Sequence, residues 1–175
     1  ETARAYGIAA GEISYAEMAR RVDAARAAYA DAGYGAGHRV GLLVENRPAF
    51  FVHCFALNAL GVSVVPVNLD LRLAELEYLI GHSELILIVA IAARHEELRR
   101  AASAVPQPVA IIAPGDPVPP ATGAATPWEG GRERWEAALL YTSGTTGLPK
   151  GCVLSNTYFL RSGQQYVDNG GYCTL

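Results

Sequence analysis

Lysine is almost missing from this chain: of its 14 basic side chains only one, Lys150, is a lysine. Basic charge in general is short, with a formal net charge of -3. That balance offers no basic patch for nucleic acid and no polybasic anchor for a membrane surface. Cysteine is scarce as well. Cys54, Cys152 and Cys173 are odd in number, widely spaced and without metal-ligand spacing, which excludes a disulfide framework and reads as the reduced thiols of a cytoplasmic protein. The four histidines are scattered singly; His53, in an apolar helical stretch, reads as a satisfied core residue rather than a ligand. Uninterrupted apolar runs of membrane-spanning length are absent too. The longest candidate, Ala49 to Val67, is broken by His53, Asn58, Gly61, Ser63 and Pro66, so it reads as a helix followed by a buried strand and not as a transmembrane segment. The first residues, Glu1-Thr2-Ala3-Arg4-Ala5-Tyr6, lack an initiator methionine and the pattern of a signal peptide, and the chain is expected to be cut or incompletely ordered at its start.

What the chain has is apolar material in a regular alternation: 51% of 175 residues are hydrophobic, enough for one globular domain with a proper core. Ser14 and Glu17 have capping-box spacing at the head of a helix whose inner face carries Met18, Val22, Ala25 and Tyr29, and Gly33 and Gly35 stop it. Arg39 to Val44 is a near-continuous apolar strand, as expected for one buried on both faces. Asn46 is expected to cap the next helix, with Pro48 in its first turn and Phe51, Cys54, Phe55 and Asn58 along its inner face. Strand Val62–Val67 follows, with Pro66 marking where pairing stops. A helix over 71–80, strand 85–89, a charged helix over 92–104 and strand 109–112 complete the series. The pattern predicts an α/β fold, a mostly parallel sheet flanked by helices. Residues 114–131, rich in Pro, Gly, Ala and Thr, read as a surface excursion pinned at its end by Trp128 and Trp135.

The chemistry concentrates in one stretch. Between two apolar runs lies a loop of glycines and small hydroxyls that ends in the sole lysine. Glycines bring backbone N–H groups close to an anion. Thr142, Ser143, Thr145 and Thr146 can each donate an O–H, and Lys150 adds a mobile point charge, stiffened on one side by Pro149. A Walker A loop requires Gly-Lys-Ser/Thr at its end; here Pro149 precedes Lys150 and Gly151 follows it. Cys152-Val153-Leu154 reads as a strand, not as the helix a Walker loop opens. The bland alternative is a glycine turn with no ligand, which would not need four hydroxyls and an ammonium group converging on one loop.

Tyr141-Thr142-Ser143-Gly144-Thr145-Thr146-Gly147-Leu148-Pro149-Lys150-Gly151 resembles the signature loop of the adenylate-forming superfamily of acyl- and aryl-CoA ligases, peptide-synthetase adenylation domains and luciferase. Ser14-Tyr15-x-Glu17, with Met18 where leucine is usual, and Leu60 to Asn68 resemble two further motifs in the same order. The resemblance covers essentially the whole chain and implies the N-terminal part of an acyl-CoA ligase. Asn68 after Pro66-Val67 is similar to the CoA-ligase branch, whereas amino-acid adenylation domains more often carry aspartate there. By resemblance, ATP and Mg²⁺ are cofactors, and a carboxylic acid and CoA are the partners of the full enzyme. Thr142, Ser143, Gly144, Thr145, Thr146, Gly147, Lys150 and Gly151 would bind the ATP phosphates, with Thr142 also lending its hydroxyl to Mg²⁺ and Lys150 neutralising departing pyrophosphate. No catalytic residue is assigned, because the family's nucleoside pocket, hinge and activating lysine lie downstream of anything matched here. The expected organisation is a partial AMP-binding domain over 1–175: alternating strands and helices to 113, the excursion over 114–135, strand–loop–strand over 136–155, and a helix with an open end over 156–175. Such a truncated chain is expected not to adenylate alone and to self-associate through exposed apolar surface. The alternatives are an amino-acid adenylation domain and a non-catalytic assembly or binding module.

Overall fold

A computed structural model describes residues 4–8, 11–123, 125, 127–142 and 149–170. A short antiparallel pair, β1 (Arg4–Ile8) and β2 (Gly11–Ser14), leads into α1 (Tyr15–Asp31). Ser14 Oγ accepts the Glu17 N–H at 3.1 Å, the N-cap that the local sequence predicts. Then come β3 (Arg39–Leu43), α2 (Pro48–Ala59), β4 (Ser63–Pro66), α3 (Leu73–His82), β5 (Leu87–Ala90), α4 (His95–Ala102) and β6 (Ala110–Ile112). The chain returns through β7 (Glu136–Thr142), β8 (Lys150–Ser155) and α5 (Asn156–Asp168). The main sheet has six strands in the order β6-β5-β3-β4-β7-β8. Every neighbouring pair is parallel except β7 with β8.

β3 can be apolar from Val40 onward because helices cover both of its faces. Val40, Leu42 and Val44 pack with Tyr29 of α1 and with Ala56 and Leu57 of α2. Leu43 belongs to the opposite layer, with Leu76, Leu79 and Ile80 of α3 and Leu98 and Ala101 of α4. Gly41 lies on that second side, where an added Cβ would stand 3.0 Å from a Leu85 methyl. Pro66 is the last residue of β4 and still pairs with Leu42, and the next N–H, that of Val67, donates to the Leu42 carbonyl at 2.9 Å, so the proline does not itself stop the bonding to β3.

Two details of α2 differ from the sequence reading. Its N-cap is Arg47, not Asn46, and no side chain caps it. Pro48 occupies the first turn and drives the residue before it into extended backbone, which gives the cap position to Arg47 at φ -118° and ψ 159°. Phe55, expected on the inner face, is 53% exposed; Ala56 and Leu57 take the core and Phe55 leans on Phe51 at the surface. His53 behaves as expected of a core histidine. Its Nδ1 lies 2.8 Å from the Tyr29 hydroxyl, and burial lowers its pKa to about 4.

The excursion after β6 is tied back by its aromatics. Trp128 Nε1 donates to the Gly61 carbonyl at 2.8 Å, and its ring lies beneath the Arg39 guanidinium. Gly61, at φ +79°, sits so close to Trp135 that a Cβ would stand 2.7 Å from the ring. Arg39 in turn donates Nε and Nη2 to the two oxygens of Glu136 at 2.7 and 2.8 Å. Among the described residues no helix is long and apolar enough to cross a membrane.

Candidate functional site

The chain runs from β7 to β8 through 143–148, so the register of this hairpin decides what can meet at its mouth. Because β7 is parallel to β4 and β8 is antiparallel to β7, the hairpin opens at the carboxyl end of the parallel strands. In open α/β sheets that end is where ligands bind. Thr142 and Lys150 are directly opposed across the hairpin, and opposed residues in an antiparallel pair share a face. Both are exposed, and no ion pair or side-chain hydrogen bond ties the Lys150 ammonium to a described residue. The structure therefore brings the expected hydroxyl and the expected ammonium to one mouth. Ser143, Gly144, Thr145, Thr146 and Gly147 lie outside the described residues.

Gly151 comes next, opposed to Tyr141. A Cβ at Gly151 would stand 3.0 Å from Leu139 Cδ1 and 3.5 Å from Cζ of the Tyr141 ring. The tight approach is to the Leu139 methyl, while the Tyr141 ring lies across the hairpin at ordinary contact distance. That ring reaches α3, where its hydroxyl lies 2.6 Å from His82 Nδ1. Burial, opposed in part by hydrogen bonding, holds the Tyr141 pKa above its ordinary value. Tyr78, one turn earlier on α3, donates its hydroxyl to the Pro149 carbonyl at 3.1 Å.

The base of the hairpin is equally anchored. Glu136 accepts from Arg39 and from Ser63 Oγ, the latter at 2.7 Å. The hydrogen bond that Arg39 donates to Glu136 raises the Arg39 pKa further. Asn58 donates both to Val62 O at 3.0 Å and to Ala137 O at 2.9 Å. None of Tyr78, His82, Arg39 or Glu136 stands out in the sequence as a site residue. The only signal for the first two is their i,i+4 spacing, which puts them on one helix face; what that face meets is a long-range matter.

Among the described residues no group of three His, Cys, Asp or Glu could hold a metal. A hairpin mouth with a hydroxyl and no carboxylate cluster fits Mg²⁺ only in the form of a phosphate-bound ion, since that cation keeps most of its ligands from phosphate and water.

Comparison with known proteins converges on one group. The AMP-binding enzyme family matches residues 2–173. The chain is 36% identical over 143 residues to a sulfoacetate–CoA ligase of Cupriavidus necator, covering 77% of this chain and 28% of that enzyme. It is 30% identical over 152 residues to tenellin synthetase of Beauveria bassiana, covering 85% of this chain and 4% of that protein. ATP-bound MatB from Rhodopseudomonas palustris superposes with a TM-score of 0.72 at 30% identity, over 91% of this chain and 33% of that one. A benzoate CoA ligase from Burkholderia xenovorans, at 22% identity and a TM-score of 0.74 over 95% of this chain and 34% of that one, shares the fold. The chain thus spans about a third of the two CoA ligases and of MatB.

Proposed function

The chain belongs to the AMP-binding enzyme family, and from that premise we propose that it supplies the triphosphate grip of an acyl-CoA ligase. In the proposed reaction a carboxylate oxygen attacks the α-phosphorus of ATP. The bond to the β-phosphate breaks and pyrophosphate leaves; the CoA thiol then attacks the acyl carbon and AMP departs. Backbone amides and hydroxyls of 142–147 would hold the β- and γ-phosphates, with Gly151 keeping the second strand close. Lys150 would neutralise the leaving pyrophosphate, an electrostatic role and not a proton transfer. Mg²⁺, carried on the phosphates and touching the Thr142 hydroxyl, would supply further charge neutralisation. The observation that carries this reading is the opposition of Thr142 and the sole lysine at the carboxyl end of the sheet.

The test is binding of Mg-ATP by equilibrium dialysis. Lys150→Ala is expected to weaken it about 10- to 100-fold, as for a lost hydrogen bond to a charged group. Equal affinity in the variant refutes the grip. On this reading the chain alone does not catalyse pyrophosphate exchange with carboxylic acids, and turnover by the isolated chain overturns that part. Asn68 and the CoA-ligase relatives favour CoA over a carrier protein as acceptor, although peptide-forming synthetases are also among the relatives. We also assign the chain to the cytoplasm. Self-association through α5 and β8, where Val153, Phe159, Leu160 and Val167 are exposed, belongs to the same reading; a monomer in light scattering counts against it.

A further inference from the structure

Both residues that flank 143–148 on their strands' side, Tyr141 and Pro149, are fastened to successive turns of the same helix. Tyr141, at the end of β7 just before Thr142, is bonded to His82 at 2.6 Å. Pro149, just before Lys150, is bonded to Tyr78 at 3.1 Å. Tyr78 and His82 are i,i+4 neighbours on α3, and their rings stack with centroids 5.3 Å apart and planes at 25°. His82 also meets the Tyr141 ring edge-on, with centroids 5.7 Å apart. The result is a closed circuit: helix to first strand, strand across to Gly151, second stalk back to helix. α3 is itself held firmly from beneath, since Leu76, Leu79 and Ile80 are buried in the sheet's second layer. A rigid element therefore sets where both ends of the loop begin.

We propose that Tyr78 and His82 are positioning residues that fix the separation of the two loop stalks, so that Thr142 and Lys150 face a single phosphate tail. The proposal rests on the reading of this hairpin as a triphosphate grip. It adds that α3, far from the loop in sequence, governs how well the grip is formed before a ligand arrives. Preorganisation of this kind lowers the ordering cost that binding would otherwise carry.

The experiment uses the 175-residue chain and two variants that keep the rings while removing the polar atoms, Tyr78→Phe and His82→Phe. Two measurements are made on each. Backbone hydrogen exchange in the unliganded protein is expected to rise about three- to tenfold at residues 150–152, the loss of one neutral hydrogen bond, with β3 and β5 unchanged. Dialysis with inorganic tripolyphosphate is expected to show binding weakened by a similar factor. A merely structural role would instead shift exchange across the sheet together with the unfolding midpoint. Unchanged exchange at 150–152 overturns the brace, and so does a rise spread evenly over the sheet. If the unaltered chain does not bind tripolyphosphate, the grip reading falls and takes the ligand half of this proposal with it, while the exchange result still judges the brace.

Discussion

Removing the Glu136 carboxylate should cost far more than loss of an ordinary ion pair. Its side chain is 5% exposed and that of Arg39 is 20% exposed. Arg39 presents Nε and Nη2 to the two carboxylate oxygens, and Ser63 Oγ makes a third hydrogen bond, a bidentate geometry of the stronger kind. The pair also does topological work, because β7 is registered on β4 at Val64 opposite Ala138 only. Glu136→Ala would leave the guanidinium without its main partner. Breaking a buried pair from one side costs about 3–5 kcal/mol, against a total stability of about 5–15 kcal/mol for a domain. Glu84, 3.4 Å from Arg39 Nη1, and the Trp128 ring offer partial compensation, so the lower end, about 3 kcal/mol, is expected. Arg39→Met should cost at least as much, since it strands the more deeply buried partner. The double replacement Arg39→Met with Glu136→Leu removes both charges together and should lose much less than the two singles added, with a coupling of about 2 kcal/mol or more. Urea unfolding followed by tryptophan fluorescence reads all four corners of the cycle. Additive losses, or a single loss below about 1 kcal/mol as for an exposed pair, would refute the argument.

Two further expectations come from other parts of the fold. Burial lowers the His53 pKa from 6.5 to about 4. The unfolded chain therefore takes up a proton first as pH falls, so His53 erodes stability between those two values and not above them; the loss from pH 7 to 5 is about 2 kcal/mol. His53→Gln should flatten that part of the pH–stability curve relative to the unaltered chain, and identical slopes would rule the effect out. Glu84 occupies a left-handed position, φ +54°, just past the end of α3, where its own N–H bonds to Gly81 and that of Leu85 to Ile80. Glycine suits that helix-ending motif better. Glu84→Gly should raise stability by about 0.5–1 kcal/mol in denaturant titration, the relief of backbone strain exceeding the entropy glycine adds to the unfolded chain; a clear loss would show that the exposed contact with Arg39 matters more than the backbone.

What the sequence made legible was whatever depends on near neighbours. The Ser14 cap needs three residues of context, and β3 announces its double burial by being apolar from Val40 onward. The hydroxyls and lysine around 142–150 mark a candidate anion site by composition, and the structure adds only that Thr142 and Lys150 are opposed. Failures began where one local rule overrode another, as at Asn46, a good capping residue that lost the position because Pro48 dictates the backbone immediately before it. Phe55 misled for a related reason: periodicity identifies an apolar helix but cannot choose the buried stripe when nearly every residue of Phe50–Leu57 is apolar.

The remaining illegibility is topological. Strand–helix alternation says that parallel strands exist, but not that β7 returns to lie beside β4 instead of extending the sheet past β6. That one placement brings Glu136 to an arginine 97 positions earlier and Pro149 to a tyrosine 71 positions earlier. A polar side chain carries no mark of its distant partner until the sheet order is known. The chemical groups of the candidate site could thus be recognised from the chain alone, while the side chains that hold them in place could not.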